Sequence, residues 1–282
     1  MLVLKFGGTS VGKPERMKKI GDLVLSTPQQ KVVVLSALSG TTNALVSIGD
    51  HLMAENLEAA EKGISILEKH YLGFIKDLYS TEAFHAIGQE IVNRFFIFIR
   101  LLAAGQFDIK SYRELLAQGE LISTELFYQH LHERKINSRL LPALHFMSID
   151  ENEEPELEKI EQRLKPLLAS LKNVDVIITQ GFICRNHHNE IDNLKRGGSD
   201  YTASLIGSAI RAEEIQIWTD IDGMHNNDPR IVKKTFPISE LTFDEASELA
   251  YFGAKILHPS TIVPAQKYNV PVRLKNTMDE KA

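Results

Sequence analysis

Cysteine is nearly absent from this chain. Cys184 is the only one in 282 residues, so no intrachain disulfide can form and a disulfide-scaffolded secreted fold is excluded. Long apolar runs are missing too. The most apolar segment, Phe95–Ala104, is interrupted by Arg100 and is far shorter than the roughly 20 residues a spanning helix needs. Positive charge is not in surplus: Lys and Arg total 32 against 37 Asp and Glu, a net of −5. That balance argues against a nucleic-acid partner. The N-terminus lacks a basic region followed by an apolar stretch and a small-residue cleavage site. No signal peptide is therefore read, and a cytoplasmic location without membrane contact is expected. No internal repeat and no low-complexity linker interrupt the chain. What remains is an ordinary globular composition, 43% hydrophobic and 24% charged, long enough for one large α/β domain or two small ones.

The chain opens on LVLKFGGTSVG, Leu2–Gly12. Four of the first five residues after Met1 are apolar and lead into a glycine pair, the pattern of a buried strand entering a tight turn. Pro14 then suits a first helical turn, with helical spacing over Glu15–Ser26. A strand, a glycine turn and a helix together can hold an anion, because glycine lets backbone N–H groups approach closely and a helix N-terminus is electropositive. Lys5 sharpens that reading: a lysine late in a buried strand needs an anionic partner, unless it snorkels to the surface at the strand end.

The same strand–loop–helix unit recurs. Lys31–Ala37 is a short β-branched strand, followed by Leu38–Asn43 and a helix from Ala44. Ser36, Ser39, Thr41 and Thr42 in that stretch either face a ligand or serve as turn and cap residues. From about Asp50 to Gly105 the pattern is helical, over Glu55–Tyr79 and Thr81–Leu102, as expected of an inserted helical subdomain of about residues 50–135. Ser111 to Glu114 reads as a capping box that starts another helix. Gly119 within that helix costs about 1 kcal/mol relative to Ala, which asks for a close-packing or ligand reason. Glu120 beside it faces either a ligand amine or solvent. Ser138–Pro142 is a strand, and the acidic run Asp150–Glu158 reads as a solvated start to the helical Leu157–Leu171. Val174–Thr179 is a strong strand. Phe182–Arg185 and Glu190–Leu194 form a hairpin around Asn186–Asn189, whose His187 and His188 diverge at the tip and make a poor metal pair. A second glycine pair follows Arg196, with Ser199 and Asp200 opening a helix at Tyr201–Ala212. A guanidinium beside a helix N-terminus receives carboxylate or phosphate. Glu214–Thr219 is a strand ending at Asp220, Thr242–Phe252 a helix boxed by Thr242 and Glu245, and Val270–Lys275 the last strand. This alternation predicts a mainly parallel sheet covered by helices on both faces, a three-layer αβα sandwich. Ligands bind such sheets beyond the strand C-terminal ends, where Lys5, Ser36, Phe182 and Asp220 all fall.

Taken together, KFGGTSVG at Lys5–Gly12, LSALSGTTN at Leu35–Asn43, QGFI at Gln180–Ile183, RGGSDYTA at Arg196–Ala203, WTDIDG at Trp218–Gly223, DPR at Asp228–Arg230 and FGAKILHP at Phe252–Pro259 resemble the aspartokinases, members of the amino-acid kinase fold. The order is right and the resemblance spans essentially the whole chain. The ending VRLKNT is similar to the kinase portion of bifunctional aspartokinase–homoserine dehydrogenases.

The resemblance implies a single kinase domain over 1–282, with an amino-acid lobe over 1–173 and a nucleotide lobe over 174–282. It implies phosphorylation of the L-aspartate β-carboxylate by ATP with Mg²⁺, the first step toward lysine, threonine and methionine. Lys5 and Asp200 would be the catalytic pair. Ser36, Thr42, Glu120, Phe182, Arg196 and Ser199 would hold aspartate, with Glu120 on its α-amino group and Arg196 on a carboxylate. Gly7, Gly8, Thr219, Asp220, His225, Arg230 and Lys255 would face the nucleotide. No side chain is assigned as a metal ligand, and a homodimer is the implied partner state. Lys195 stands where relatives commonly carry glycine, and His225 where many carry tyrosine, both near the expected nucleotide site. Relatives usually continue into paired regulatory ACT domains, which this sequence lacks at Ala282, so feedback inhibition by lysine or threonine is expected to be absent. The chemistry is self-consistent. The nucleophile would be a carboxylate already ionised at neutral pH, so no general base is needed, and the task is to bring anion to anion. No GxxxxGK run followed by Ser or Thr occurs, so this is not a Walker-type loop. No GxGxxG occurs either, which argues against a dinucleotide oxidoreductase. Another acid as acceptor, and a weakly active domain serving assembly or ligand sensing, are the competing readings.

Overall fold

The computed structural model describes residues 1–195, 197–221, 223–227, 231–232, 234–252 and 259–278. The elements in order are β1 (Leu2–Phe6), α1 (Gly8–Val11), α2 (Pro14–Leu23), β2 (Lys31–Leu35), α3 (Thr41–Met53), α4 (Leu57–Leu78), α5 (Glu82–Ala104) and α6 (Ile109–Glu133). There follow β3 (Ser138–Leu140), α7 (Leu157–Ser170), β4 (Val176–Gln180), β5 (Ile183–Arg185), β6 (Ile191–Asn193), α8 (Gly198–Ile210), β7 (Glu214–Thr219), α9 (Phe243–Phe252), α10 (Pro259–Lys267) and β8 (Val272–Asn276).

Six strands form one sheet in the order β3-β4-β2-β1-β7-β8, every pairing parallel. The hairpin β5-β6 stands apart as an antiparallel pair. β1 occupies the middle because it is apolar on both faces, as an interior parallel strand must be. Leu2, Leu4 and Phe6 enter a core with α2 through α6, whereas Val3 enters the other core with α7, α8 and α10. Strand alternation gives Lys5 the parity of Val3 and aims it toward the α8 face. β4, the first strand after the expected lobe boundary at 173/174, lies between β3 and β2.

Several element starts differ from the sequence expectation. Helix α3 begins at Thr41, three residues before Ala44, after Gly40 takes φ 83° at the N-cap. Helix α6 begins at Ile109 and is capped by the Asp108 side chain, which accepts the Ser111 N–H at 2.8 Å. Asp108, rather than Ser111, is the cap, because its extended backbone leaves the carboxylate facing the first turn. Helix α8 begins at Gly198, after Gly197 at φ 72°, so Ser199 and Asp200 lie inside its first turn. The start of α7 at Leu157 matches the expectation, while the acidic run before it forms a turn in which Asp150 accepts the N–H groups of Asn152 and Glu154. At α9 the predicted capping box is present, with Glu245 accepting from the Thr242 N–H at 2.8 Å.

Candidate active site

The C-terminal rim of β1, β2, β4 and β7 opens onto a cleft of about 480 Å³, within the range of small-molecule sites. Lys5, Gly7, Gly8, Ser36, Thr42, Glu120, Phe182, Ser199 and Thr219 all line it. Expectations drawn from segments as far apart as Lys5 and Thr219 thus meet in one place.

Lys5 is 9% exposed. Its Nζ lies 2.7 Å from Asp200 Oδ1, an ion pair rather than an aligned hydrogen bond. The two meet because β1 alternation points Lys5 at α8 and the early start of α8 brings Asp200 into its first turn. Gly7 sits against the ammonium: a Cβ there would lie 3.1 Å from Nζ. The N-terminal turns of α3 and α8 supply Gly40, Thr42, Asn43, Gly198 and Ser199 to the lining, so the electropositive ends of two helices border the same cleft as the ammonium. The site is built for negative charge.

Two tight approaches hold these helices in place. Gly181, after β4, lies against α8: a Cβ there would come within 2.8 Å of Ser199 Cα. The Ser36 hydroxyl donates to Ser199 Oγ at 2.8 Å, and Ser123 donates to the Ser36 carbonyl at 2.6 Å. Phe182 takes φ 68°, a left-handed conformation unusual for a bulky side chain. Its N–H donates to Thr202 Oγ1 at 3.0 Å. Phe182 thus precedes the hairpin strand rather than belonging to it.

Glu120 is 3% exposed, so the solvent-facing alternative is excluded. Gly119 is the reason. A Cβ at 119 would meet Ala37 Cβ at 2.9 Å and Thr41 Cγ2 at 3.3 Å, so the glycine lets α6 press against the loop after β2. Glu120 Oε1 then accepts the Ala37 N–H at 3.1 Å, while Oε2 is buried without a partner. Burial, opposed by the Ala37 hydrogen bond, pushes its carboxyl up to about 8. A buried acid with an unpartnered oxygen, in a residue that lines the cleft, suits a cationic group on a ligand.

The remaining assignments are placed less centrally. Asp200 reaches the cleft through Lys5. Asp220 is exposed and accepts the Thr219 hydroxyl at 3.1 Å, beyond the lining residues. His225 is 6% exposed, with Nδ1 2.9 Å from Thr235 Oγ1, and does not line the cleft. Lys195 pairs with Glu153, tying the acidic turn to the segment before the second glycine pair. Arg196, Arg230 and Lys255 lie outside the described residues. Sequence reasoning missed Thr9, Leu38 and Trp218 as lining residues. Trp218 stacks on Phe6 with ring centroids 5.7 Å apart, and its position one residue before Thr219 at a strand end was the available signal. Among the described residues no His/Cys/Asp/Glu cluster could by itself hold a metal. No helix among them is long and apolar enough to cross a membrane.

A parallel αβα sandwich with an ammonium–carboxylate pair on its carboxyl rim, beside the N-termini of α3 and α8, defines an α/β protein whose rim cleft suits an anionic ligand. The chain belongs to the amino acid kinase family, whose model matches residues 1–276. It is similar to the lysine-sensitive aspartokinase 3 of Escherichia coli, 35% identical over 288 residues, with all of this chain and 63% of that protein covered. Aspartokinase 1 of Arabidopsis thaliana is 34% identical, with 99% of this chain and 50% of that protein covered. A bifunctional aspartokinase/homoserine dehydrogenase of Zea mays is 29% identical, with 99% of this chain and 31% of that protein covered. The crystal structure of E. coli aspartokinase III in complex with aspartate and ADP superposes with a TM-score of 0.90 at 33% identity, covering all of this chain and 63% of that one. The chain thus spans between about a third and two thirds of the length of these relatives.

Proposed function

We propose that this chain is the catalytic unit of an aspartate kinase, transferring the γ-phosphoryl group of ATP to the β-carboxylate of L-aspartate. A carboxylate oxygen attacks the γ-phosphorus, the bond from that phosphorus to the β,γ-bridging oxygen breaks, and ADP departs with its electron pair. The products are 4-phospho-L-aspartate and ADP. No proton has to be removed from the nucleophile, whose unperturbed pKa is about 3.9. Catalysis is therefore positioning plus charge stabilisation.

One observation carries the reading: the Lys5 ammonium, 2.7 Å from Asp200, stands in the same cleft as the buried, half-partnered Glu120. Lys5 neutralises charge on the transferring group, and Asp200 holds Lys5 in line. Glu120 receives the substrate α-ammonium, which separates the two ends of aspartate and presents the β-carboxylate to Lys5. Ser36, Thr42, Phe182 and Ser199 border the amino acid. Gly7, Gly8 and Thr219 border the nucleotide, with Asp220, His225, Arg230 and Lys255 assigned to it by resemblance and Arg196 assigned likewise to a substrate carboxylate. Magnesium is usually held by one or two carboxylates together with substrate phosphates, and no side chain of this chain is assigned to it, since Asp200 is already paired with Lys5. When bound, the ion would offset phosphate charge. By resemblance, residues 1–173 are assigned to the amino-acid lobe and residues 174–282 to the nucleotide lobe. Dimerisation is proposed from the resemblance alone.

The test traps the product. An acyl phosphate reacts with hydroxylamine, so ATP, Mg²⁺, hydroxylamine and L-aspartate should give aspartyl hydroxamate at a rate well above that with L-glutamate or N-acetylglutamate. Equal or faster hydroxamate formation from either of those acids would replace the assignment with another amino-acid kinase.

A further inference from the structure

The segment just after β8 is unused by the reaction proposed above, yet it is fastened to the cleft from behind. Thr277 is fully buried. Its N–H donates to the Thr219 carbonyl at 2.8 Å, and its Oγ1 lies 2.8 Å from Ser10 Oγ. Ser10 is 1% exposed and also donates to the Trp218 carbonyl at 3.4 Å. Asn276 Oδ1 accepts the Met278 N–H at 2.8 Å, a side-chain turn that fixes the backbone around Thr277. Neither Ser10 nor Thr277 lines the cleft, but Gly8, Thr9, Trp218 and Thr219 do.

The geometry of α1 explains why this matters. The helix has four residues, too few to be stable alone. Its position is set by tertiary ties: Ser10 on Thr277, Arg16 on the Thr9 carbonyl at 2.7 Å, and Gly12 packed against Ser39. Ser10 joins the glycine turn to the end of β7 twice, directly through the long bond to the Trp218 carbonyl and through Thr277, whose N–H is held by the Thr219 carbonyl. The two hydroxyls are sealed from solvent, so each depends on the other for its short hydrogen bond.

We propose that Thr277 is a positioning residue for phosphoryl transfer, a clamp that holds the Gly7–Gly8 turn at a fixed distance from Trp218 and Thr219. The proposal rests on the aspartate kinase reading, in which those groups border ATP. It assigns a function to a hydroxyl outside the cleft, which the sequence shows only as the end of the VRLKNT run.

The experiment uses the full chain and compares the natural protein with Thr277→Val, Thr277→Ser and Ser10→Ala. Three readouts are taken: steady-state kinetics, melting temperature, and ATP affinity from the fluorescence of Trp218, the single tryptophan in the sequence. A displacement of a reacting group on the ångström scale costs up to about a hundredfold. Thr277→Val is therefore expected to lower kcat about tenfold and to weaken ATP binding several-fold, with KM for aspartate within about twofold of natural. Thr277→Ser restores the values. Ser10→Ala breaks the same bond, together with the longer one to the Trp218 carbonyl, and is expected to be at least as impaired as Thr277→Val, which covers failure of Thr277→Val to fold. The double variant is no worse than the poorer single one. Variants that melt earlier but keep natural kcat and ATP affinity while folded would make the bond merely structural and overturn the clamp. A natural chain that neither binds ATP nor turns over aspartate would overturn the reading beneath it, a different result from an active natural chain matched by Thr277→Val.

Discussion

Replacing Glu120 by Gln should remove a pH-dependent instability and, with it, most of the affinity for aspartate. The carboxyl has one hydrogen bond, from Ala37, and one buried oxygen with none. Burial pushes it from its ordinary 4.5 up to about 8. The sign follows from proton counts. Between pH 4.5 and about 8 the folded chain holds a proton on Glu120 that the unfolded chain has lost, so stability falls as pH rises through this window. Each tenfold in proton affinity is about 1.4 kcal/mol, so the penalty reaches at most about 5 kcal/mol above pH 8 and vanishes below pH 4.5. Glu120→Gln keeps an oxygen for the Ala37 N–H and has no charge to bury. Urea unfolding should therefore find the variant similar to the natural chain near pH 5 and more stable by several kcal/mol at pH 8.5. An ammonium placed on Glu120 reverses the preference, since it favours the ionised form. Binding aspartate at pH 7 should release about 0.9 of a proton, and affinity should rise about tenfold from pH 6 to pH 7. Titration calorimetry in two buffers of different protonation enthalpy counts that proton directly. No released proton, or equal pH slopes of stability in the natural chain and the variant, would refute the assignment of Glu120 to the ammonium.

Other expectations follow from the same geometry. Asp200→Asn leaves the Lys5 ammonium poorly compensated and should cost about 3 kcal/mol of stability. Adding Lys5→Met to it should recover much of that stability in urea unfolding without any recovery of turnover. Gly181→Ala forces its new Cβ against Ser199 and should cost about 1–3 kcal/mol, with kcat falling as the Ser36–Ser199 contact opens. Gly119→Val should displace α6 from Ala37 and Thr41, raising KM for aspartate more than KM for ATP in steady-state kinetics. Asp108→Ala should lower the melting temperature by about 2–4 °C while leaving kinetics unchanged; a larger effect from Ser111→Ala would contradict the assignment of Asp108 as the cap.

The sheet and its rim were legible because their signals are local and periodic. The β-branched runs at Lys31–Ala37 and Val174–Thr179 and the apolar opening stretch mark interior parallel strands, and a lysine at an alternating position can face only one layer. Glu120 was only half legible. Helical spacing placed it beside Gly119, but whether that face met solvent or the loop after β2 depended on a contact 83 residues away. The starts of α3 and α8 fell earlier than expected. Gly40 and Gly197 take positive φ, so the chain turns into α3 and α8 earlier than an apolar pattern reveals. That shift is what puts Thr42, Ser199 and Asp200 in first turns, where they line or support the cleft. At α6 two polar residues competed for the cap, and the choice between Asp108 and Ser111 rested on backbone geometry. The tie between Ser10 and Thr277 spans 267 positions, and no local pattern announces it.

The central claim is most directly tested by ADP release from ATP and Mg²⁺ with and without L-aspartate, for the natural chain and for Lys5→Ala. Aspartate-dependent release in the natural chain that falls at least a hundredfold in Lys5→Ala is the predicted result. Equal release by both chains would contradict the role of Lys5, and a folded natural chain with no aspartate-dependent release would contradict the proposed activity of the chain itself.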